Sequence, residues 1–322
     1  MRRLIKIRTS IVGVLATIVL ASCQSSNQAS PSSEEGLSVV TTFYPVYEFT
    51  KQVVGENGTI MNLLSAGQDS HSYEPTPKEL AQIAEADVFV YSSDYMETWV
   101  PDVLATLTDS DVLVIEATAD MDLFENEDGH DHDHDHDHEE DDHDHDHSHA
   151  VDPHVWLDPV LAQDMVAHIA EEISAIDPEQ ATSYQENTQA YMEELQQLDA
   201  DYQAAFEGAE HRIFVVQHAA FGYLARRYQL EEMPISSLTS DQEVSPSKMA
   251  EIGRFINEND IKAIYYQDSA SSKIAETLAA ETAVSLEQLS AIEGITTADL
   301  EAGVNYMSVM RDNLEALQKT IH

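Results

Sequence analysis

Cysteine is nearly absent. Cys23 is the only one among 322 residues, so no intramolecular disulfide can form. Basic residues are scarce too: 15 Lys and Arg stand against 60 Asp and Glu, a formal charge of −45. Nucleic-acid binding needs clustered cations, and this balance excludes it. Long apolar runs are also missing near the start. Ile11–Leu20 spans ten residues, about half of what a membrane-crossing helix needs. What is present is 43% apolar residues, enough for folded cores, in a chain long enough for two ordinary domains. The carboxylate excess suits cations.

The short apolar run follows Arg2, Arg3, Lys6 and Arg8, and Leu20-Ala21-Ser22-Cys23 comes after it. This is the layout of a secretory signal. Its end resembles the lipobox of bacterial lipoproteins, with Cys23 as the lipidated first residue of the mature chain. Residues 1–22 are expected to be a signal peptide. Residues 23–36, rich in serine, read as a flexible tether. The protein is then extracytoplasmic and held to the membrane through lipid on Cys23.

Hydrophobic runs and helical periodicities alternate along the rest. Leu37–Phe43, Thr59–Leu64, Val88–Ser93 and Val112–Ala117 read as strands, with helices over Pro45–Val54, Pro77–Glu85 and Tyr95–Thr106. Pro159–Ile176 and a long Pro178–Glu207 read as helices. The second presents Tyr184, Tyr191, Leu195, Leu198, Tyr202 and Phe206 on one face. A second alternation has strands at Ile213–Gln217, Ile261–Tyr266 and Ala283–Leu289. Its helices are Ala220–Gln229, Pro246–Glu258, Ser271–Glu281 and Gly303–Thr320. The fold class is α/β: two lobes of β/α type with mainly parallel sheets, residues 37–177 and 208–322, joined by one long rigid helix, 178–207.

The first lobe is interrupted by residues 125–150, which hold 13 carboxylates and nine histidines and no Lys or Arg. His130, His132, His134, His136, His138, His143, His145, His147 and His149 alternate mostly with Asp. Imidazole and carboxylate are both ligands for borderline divalent ions. With no apolar residues to pack, the tract is expected to be disordered without metal and to bind ions weakly, since ordering it costs chain entropy. A solvated acidic loop is the plainer alternative.

Tight binding needs ligands on rigid elements. His168, inside a helix, and His211, in a turn, read as ordinary exposed side chains. His71 follows a strand by a short loop, His154 precedes the long helical region, and His218 comes directly after a strand. Ligands in open α/β sheets bind beyond the carboxyl ends of strands. A lone histidine there is more often structural, but three of them beside a metal-collecting tract are not. A carboxylate after a later strand would complete the set, and Glu293 fits.

The motifs around these residues carry a resemblance. GQDSHSYEPTP (Gly67–Pro77), DPHVWLDP (Asp152–Pro159) and VVQHAAFGYLARRYQL (Val215–Leu230) resemble, in order, the metal-binding motifs of the zinc and manganese solute-binding proteins of ABC transporters. EVSPSKMAEI, YYQDSASSKIAETLAAE and NYMSVMRDNLEAL match the family pattern as well, from about Leu37 to the C-terminus. The resemblance implies one site between the lobes, made by His71, His154, His218 and Glu293. It implies Zn2+ rather than manganese, because manganese members carry a carboxylate where His218 stands. It also implies a monomeric, Gram-positive-type surface lipoprotein, with an ABC permease and its ATPase as partners, and no enzymatic activity. Two departures stand out. Ser70 occupies a position where the family often has proline, and Ala291-Ile292 replace a proline-containing stretch before Glu293. Some streptococcal relatives carry an extra C-terminal zinc-binding domain, which is not expected here.

Two other functions compete. A zinc hydrolase would use three histidines with an open fourth position, but no H-E-x-x-H motif or nucleophile elbow occurs. A host-matrix adhesin is the other, since some streptococcal members are described that way.

Overall fold

A computed structural model describes residues 36–65, 68, 70–108, 110–124, 151–236, 238, 244–267 and 272–322. The expected signal peptide, Cys23, nearly all of the tether and the His/Asp tract with its nine histidines lie outside the described residues. Among those described, no helix is long and apolar enough to cross a membrane.

The first sheet contains β1 (Leu37–Thr41), β2 (Gly58–Asn62), β3 (Val88–Tyr91) and β4 (Leu113–Glu116) in the order β2-β1-β3-β4. Between its strands lie α1 (Tyr44–Val54), α2 (Pro77–Glu85) and α3 (Val100–Leu104). Two helices follow, α4 (Pro159–Ile176) and α5 (Ala181–Phe206). The second sheet repeats the first one's plan. It holds β5 (Ile213–His218), β6 (Glu231–Ser236), β7 (Ala263–Tyr266) and β8 (Ser285–Gln288) in the order β6-β5-β7-β8. Its helices are α6 (Gly222–Tyr228), α7 (Pro246–Glu258), α8 (Lys273–Thr282), α9 (Thr297–Glu301) and α10 (Tyr306–Leu317). Every strand pair is parallel. The expected α/β class with two parallel sheets is what the chain adopts.

Helix starts are written locally. Thr76 accepts from Glu79 N–H while the Glu79 carboxylate reaches back to Thr76 N–H, and Pro77 opens the helix. Asp158 before Pro159 and Ser245 before Pro246 cap α4 and α7 with a side-chain oxygen that accepts first-turn N–H groups, without the reciprocal bond. Proline at a helix start loses a donor that would be unpaired anyway. These three helices begin and end where the sequence places them.

Several elements differ from expectation, and α9 was not expected. The helix expected over Tyr95–Thr106 is only α3, Val100–Leu104. Upstream, Glu97 folds back and accepts the Ser92 and Ser93 N–H groups at 3.0 Å each, which makes a turn. Pro101 then cannot donate to that turn. β6 was not expected at all. Its sequence, EEMPIS, is acidic and contains Pro234. It is an edge strand paired only with β5, where a missing N–H is tolerated.

The long helix is shorter than expected, 26 residues, or about 39 Å. It packs on α1 and α4 at one end and on α6 and α10 at the other. Its buried face is the expected one, from Tyr184 to Phe206. Tyr202 OH donates to the Met310 carbonyl of α10 at 2.7 Å, and its ring stacks on Tyr228 at 5.0 Å. Each fully buried side chain of this size contributes about 1.5–3 kcal/mol. One apolar cluster runs from Val39 of the first sheet to Ile321 near the end of the chain, so residues 35–322 form one compact unit.

Trp156 ties the two halves together. It lies in the 3-10 turn Val155–Leu157 and is fully buried. Its Nε1–H donates to the Ala291 carbonyl at 2.7 Å, and its own carbonyl accepts from Tyr306 OH at 2.6 Å. Replacing Trp156 with Phe should lower stability by about 1–3 kcal/mol, because a buried carbonyl loses its donor. Denaturant unfolding of the ion-free protein measures this; an unchanged midpoint would show that the bond adds nothing.

Candidate metal centre

Four side chains converge at the carboxyl ends of the two sheets. His71 lies in the loop between β2 and α2, and His154 immediately precedes the Trp156 turn. His218 is the last residue of β5, one position earlier than a residue following the strand. Glu293 follows β8 by a short loop. One ligand atom from each lies within 4.8 Å of all the others. Glu293 Oε1 is 3.5 Å from Nε2 of each of His71, His154 and His218. Ligands about 2.0–2.1 Å from a tetrahedral ion sit about 3.3–3.4 Å apart. The three His–Glu edges are close to that spacing.

The pocket is dry. The side chains of His154 and His218 are 0% and 1% exposed, against 11% for His71 and 9% for Glu293. An ion would therefore enter on the side of His71 and Glu293. A cavity of about 390 Å³, lined by Tyr44, Asn62, Ser65, Gly294 and Thr297 among others, borders Glu293. Nε2 of His154, Nε2 of His218 and Oε1 of Glu293 are buried and make no hydrogen bond. Buried polar atoms of this kind are costly unless something else binds them.

Neighbouring groups orient the ligands. Asp152 Oδ1 accepts from His154 Nδ1 at 2.8 Å and from the His154 backbone N–H at 2.9 Å. This leaves Nε2 facing the pocket, the arrangement seen when a carboxylate supports a metal-binding histidine. Asp152 N–H donates to the Phe124 carbonyl at 3.1 Å, and Tyr223 OH bonds both Phe124 N–H and the Asp152 carbonyl. Phe124 and Asp152, which flank residues 125–150, are thus held together two residues from a ligand. Glu232 accepts the Ala220 and Phe221 N–H groups at 3.1 and 2.9 Å, shaping the turn after His218. Ser70 Oγ donates to Glu293 Oε2 at 3.0 Å.

The loop before Glu293 is strained. Ile292 has φ 60°, a left-handed conformation that costs a β-branched residue about 1–3 kcal/mol. Trp156 holds the Ala291 carbonyl. Asn313 bonds both the N–H and the carbonyl of Ser290, and Ser290 Oγ accepts the Ile292 N–H. These contacts carry the chain through the position where proline was missed in the sequence.

Charge follows from the same contacts. Burial pulls the His154 imidazole down, but the Asp152 and Glu293 carboxylates outweigh it and raise its pKa to about 9. Burial holds His218 below the ordinary histidine value. Burial works against the Glu293 carboxylate, yet the three imidazoles hold it well below the usual carboxylate range. Once the His154 proton is displaced, three neutral imidazoles and one carboxylate leave a net −1, which a divalent cation complements. Nitrogen-rich, four-fold donor sets of this kind suit zinc.

His168 and His211 do not join the cluster. His168 sits half-buried on α4 and interacts with Glu116. His211 is half-buried against the His322 ring, 5.8 Å away. Neither is the exposed side chain the sequence suggested, because local neighbours do not reveal what packs from elsewhere. Of the orienting residues, Asp152, Trp156 and Asn313 were not singled out in the sequence, and Ser70 stood out only as a departure from the family pattern. Only Asp152, two residues before His154, carried a signal that could have found it.

Two parallel α/β sheets with a buried donor cluster between their carboxyl ends define a two-lobed solute-binding protein. The chain belongs to the ZnuA family, described as zinc-uptake complex component A, periplasmic, whose model matches residues 39–320. That family is one of solute-binding components, not of enzymes. The chain is 41% identical to the high-affinity zinc uptake system protein ZnuA of Bacillus subtilis over 94% of each chain. It is 43% identical to the zinc-binding lipoprotein AdcA of Streptococcus pneumoniae, over 96% of this chain and 60% of that one. Its structure resembles the Zn(II)-bound ZnuA-like domain of S. pneumoniae AdcA with a TM-score of 0.75 and 42% identity, covering 88% of this chain and 98% of that one.

Proposed function

We propose that this protein captures Zn2+ outside the cytoplasm with His71, His154, His218 and Glu293 and hands it to an ABC permease driven by its ATPase. The observation that carries this is the single Glu293 oxygen 3.5 Å from three imidazole nitrogens. The names of the relatives, a zinc uptake protein and a zinc-binding lipoprotein, support it. Lipid on Cys23 would keep the protein at the membrane, and stable anchoring takes more than one acyl chain. The nine histidines of the 125–150 tract would gather dilute zinc close to the pocket. Residues 37–177 and 208–322 would act as two jaws bridged by 178–207. The shared core favours local loop shifts over wide opening. All four ligands come from one chain, so a monomer would suffice as the working unit.

Glu293 fills the fourth position that a hydrolytic zinc site leaves to water. Among the described residues no surface feature points to a host-matrix partner. The test is metal analysis of protein purified without added ions, followed by competition with manganese. Zinc should be the retained ion; manganese retention in preference to zinc would overturn the reading. Replacing His218 with Glu makes the donor set oxygen-richer and should shift preference toward manganese. An unchanged metal ranking in that variant would count against His218 as the discriminating ligand.

A further inference from the structure

The two oxygens of Glu293 have different surroundings. Oε1 faces the three imidazoles, and Oε2 accepts the Ser70 hydroxyl at 3.0 Å. The contact is buried and joins residues 223 apart in the chain. We propose that Ser70 is a specificity-determining positioning residue: by engaging Oε2 it holds Glu293 to one ligand oxygen, so that the pocket offers a cation three nitrogens and one oxygen. This rests on the zinc reading above.

A free carboxylate can chelate with both oxygens, which would raise the donor count to five. Zinc in closed sites is four-coordinate, whereas manganese favours oxygen-rich, higher-coordinate sites. Denticity of this one carboxylate therefore bears directly on selectivity. The Ser70 hydrogen bond takes one lone pair of Oε2, draws on its charge and fixes the carboxylate's orientation, so chelation would have to compete with it or strain it. Ser70 is 5% exposed, so water would not readily replace a lost partner, and a buried hydroxyl left unpaired is penalised. Ser70 thus does for Glu293 what Asp152 does for His154. It acts across the two halves of the molecule, from the loop that also carries His71. A proline at position 70 would have no group to donate.

The experiment compares wild type, Ser70→Ala and Ser70→Thr loaded with Co2+, a spectroscopic stand-in for zinc, and measures zinc and manganese affinities by competition. Wild type should give the intense visible bands of a tetrahedral ion. Ser70→Ala should give the weaker bands of a five-coordinate ion, with a zinc-over-manganese ratio about tenfold lower. Ser70→Thr, which keeps the hydroxyl, should restore both. X-ray absorption on zinc-loaded wild type should find one carboxylate oxygen on the metal, and this arm depends on no variant folding. Unchanged Co2+ bands and an unchanged ratio in Ser70→Ala, or a chelating Glu293 in wild type, would overturn the role of Ser70 while leaving zinc capture standing. A wild type that binds no zinc would overturn the cargo reading and this inference with it.

Discussion

Replacing His218 with Ala should weaken zinc binding by about 100-fold or more, while deleting residues 128–148 should cost far less. The first figure follows from dividing the about 10–16 kcal/mol of a structural zinc site among four ligands. His218 sits at the end of a strand inside a parallel sheet, so it is ordered before the ion arrives. Its loss opens the pocket to water and leaves three ligands. A tract of this composition, with no large apolar residues, is expected to spend chain entropy on each ion it takes up. The deletion is also structurally mild. Phe124 and Asp152 are already hydrogen-bonded to each other, and the six residues left between them are enough to close the loop. Calorimetry with a competing chelator separates the outcomes. Comparable losses in the two variants would sink the division into a tight pocket and a weak collecting tract.

Zinc affinity should fall about 100-fold between pH 8 and pH 6. The sign comes from the ion-free pocket. His154, with its pKa raised to about 9, carries a proton at neutral pH. Its Nδ1 is committed to Asp152, so that extra proton sits on Nε2, the atom zinc needs. Zinc must displace it, and one proton released per ion gives about tenfold in affinity per pH unit below that pKa. His218, held below the ordinary histidine value by burial, competes with protons at lower pH than an ordinary histidine, and the dependence should steepen there. Titrations in buffers of different ionisation enthalpy count the released proton directly. Asp152→Asn removes one of the carboxylates that hold the proton. It should flatten the dependence near pH 8 and also weaken binding by about 10–100-fold. An affinity that stays level from pH 8 to pH 6 would remove His154 protonation from the account.

Elements with local signals were legible. α2, α4 and α7 carry their start signals in two adjacent residues, a capping side chain and a proline. The buried face of α5 repeats at helical spacing. β6 was not legible, because its pairing with β5 rather than its own composition makes it a strand. α3 was over-read because the Glu97 carboxylate turns inward onto backbone N–H groups, a contact that periodicity does not encode.

The donor types were readable from the chain. Three histidines after or before regular elements and one carboxylate in a loop are features of residue identity and position, and they limit the cargo to a divalent cation. Their convergence was not readable, because His71 and Glu293 are 222 positions apart and meet only when the two sheets face each other. The same holds for which oxygen of Glu293 meets the imidazoles, which nitrogen of His154 is free, and how Ile292 is held at φ 60°. Each depends on partners supplied by the other half of the molecule: Ser70 for Glu293, Trp156 for Ala291, Tyr223 for Asp152. The scarcity of cysteine and of basic residues excluded disulfides and nucleic acid at once, since those limits depend on what the chain contains. Ligand geometry depends on what packing brings within 3.5 Å, and only the folded chain decides that.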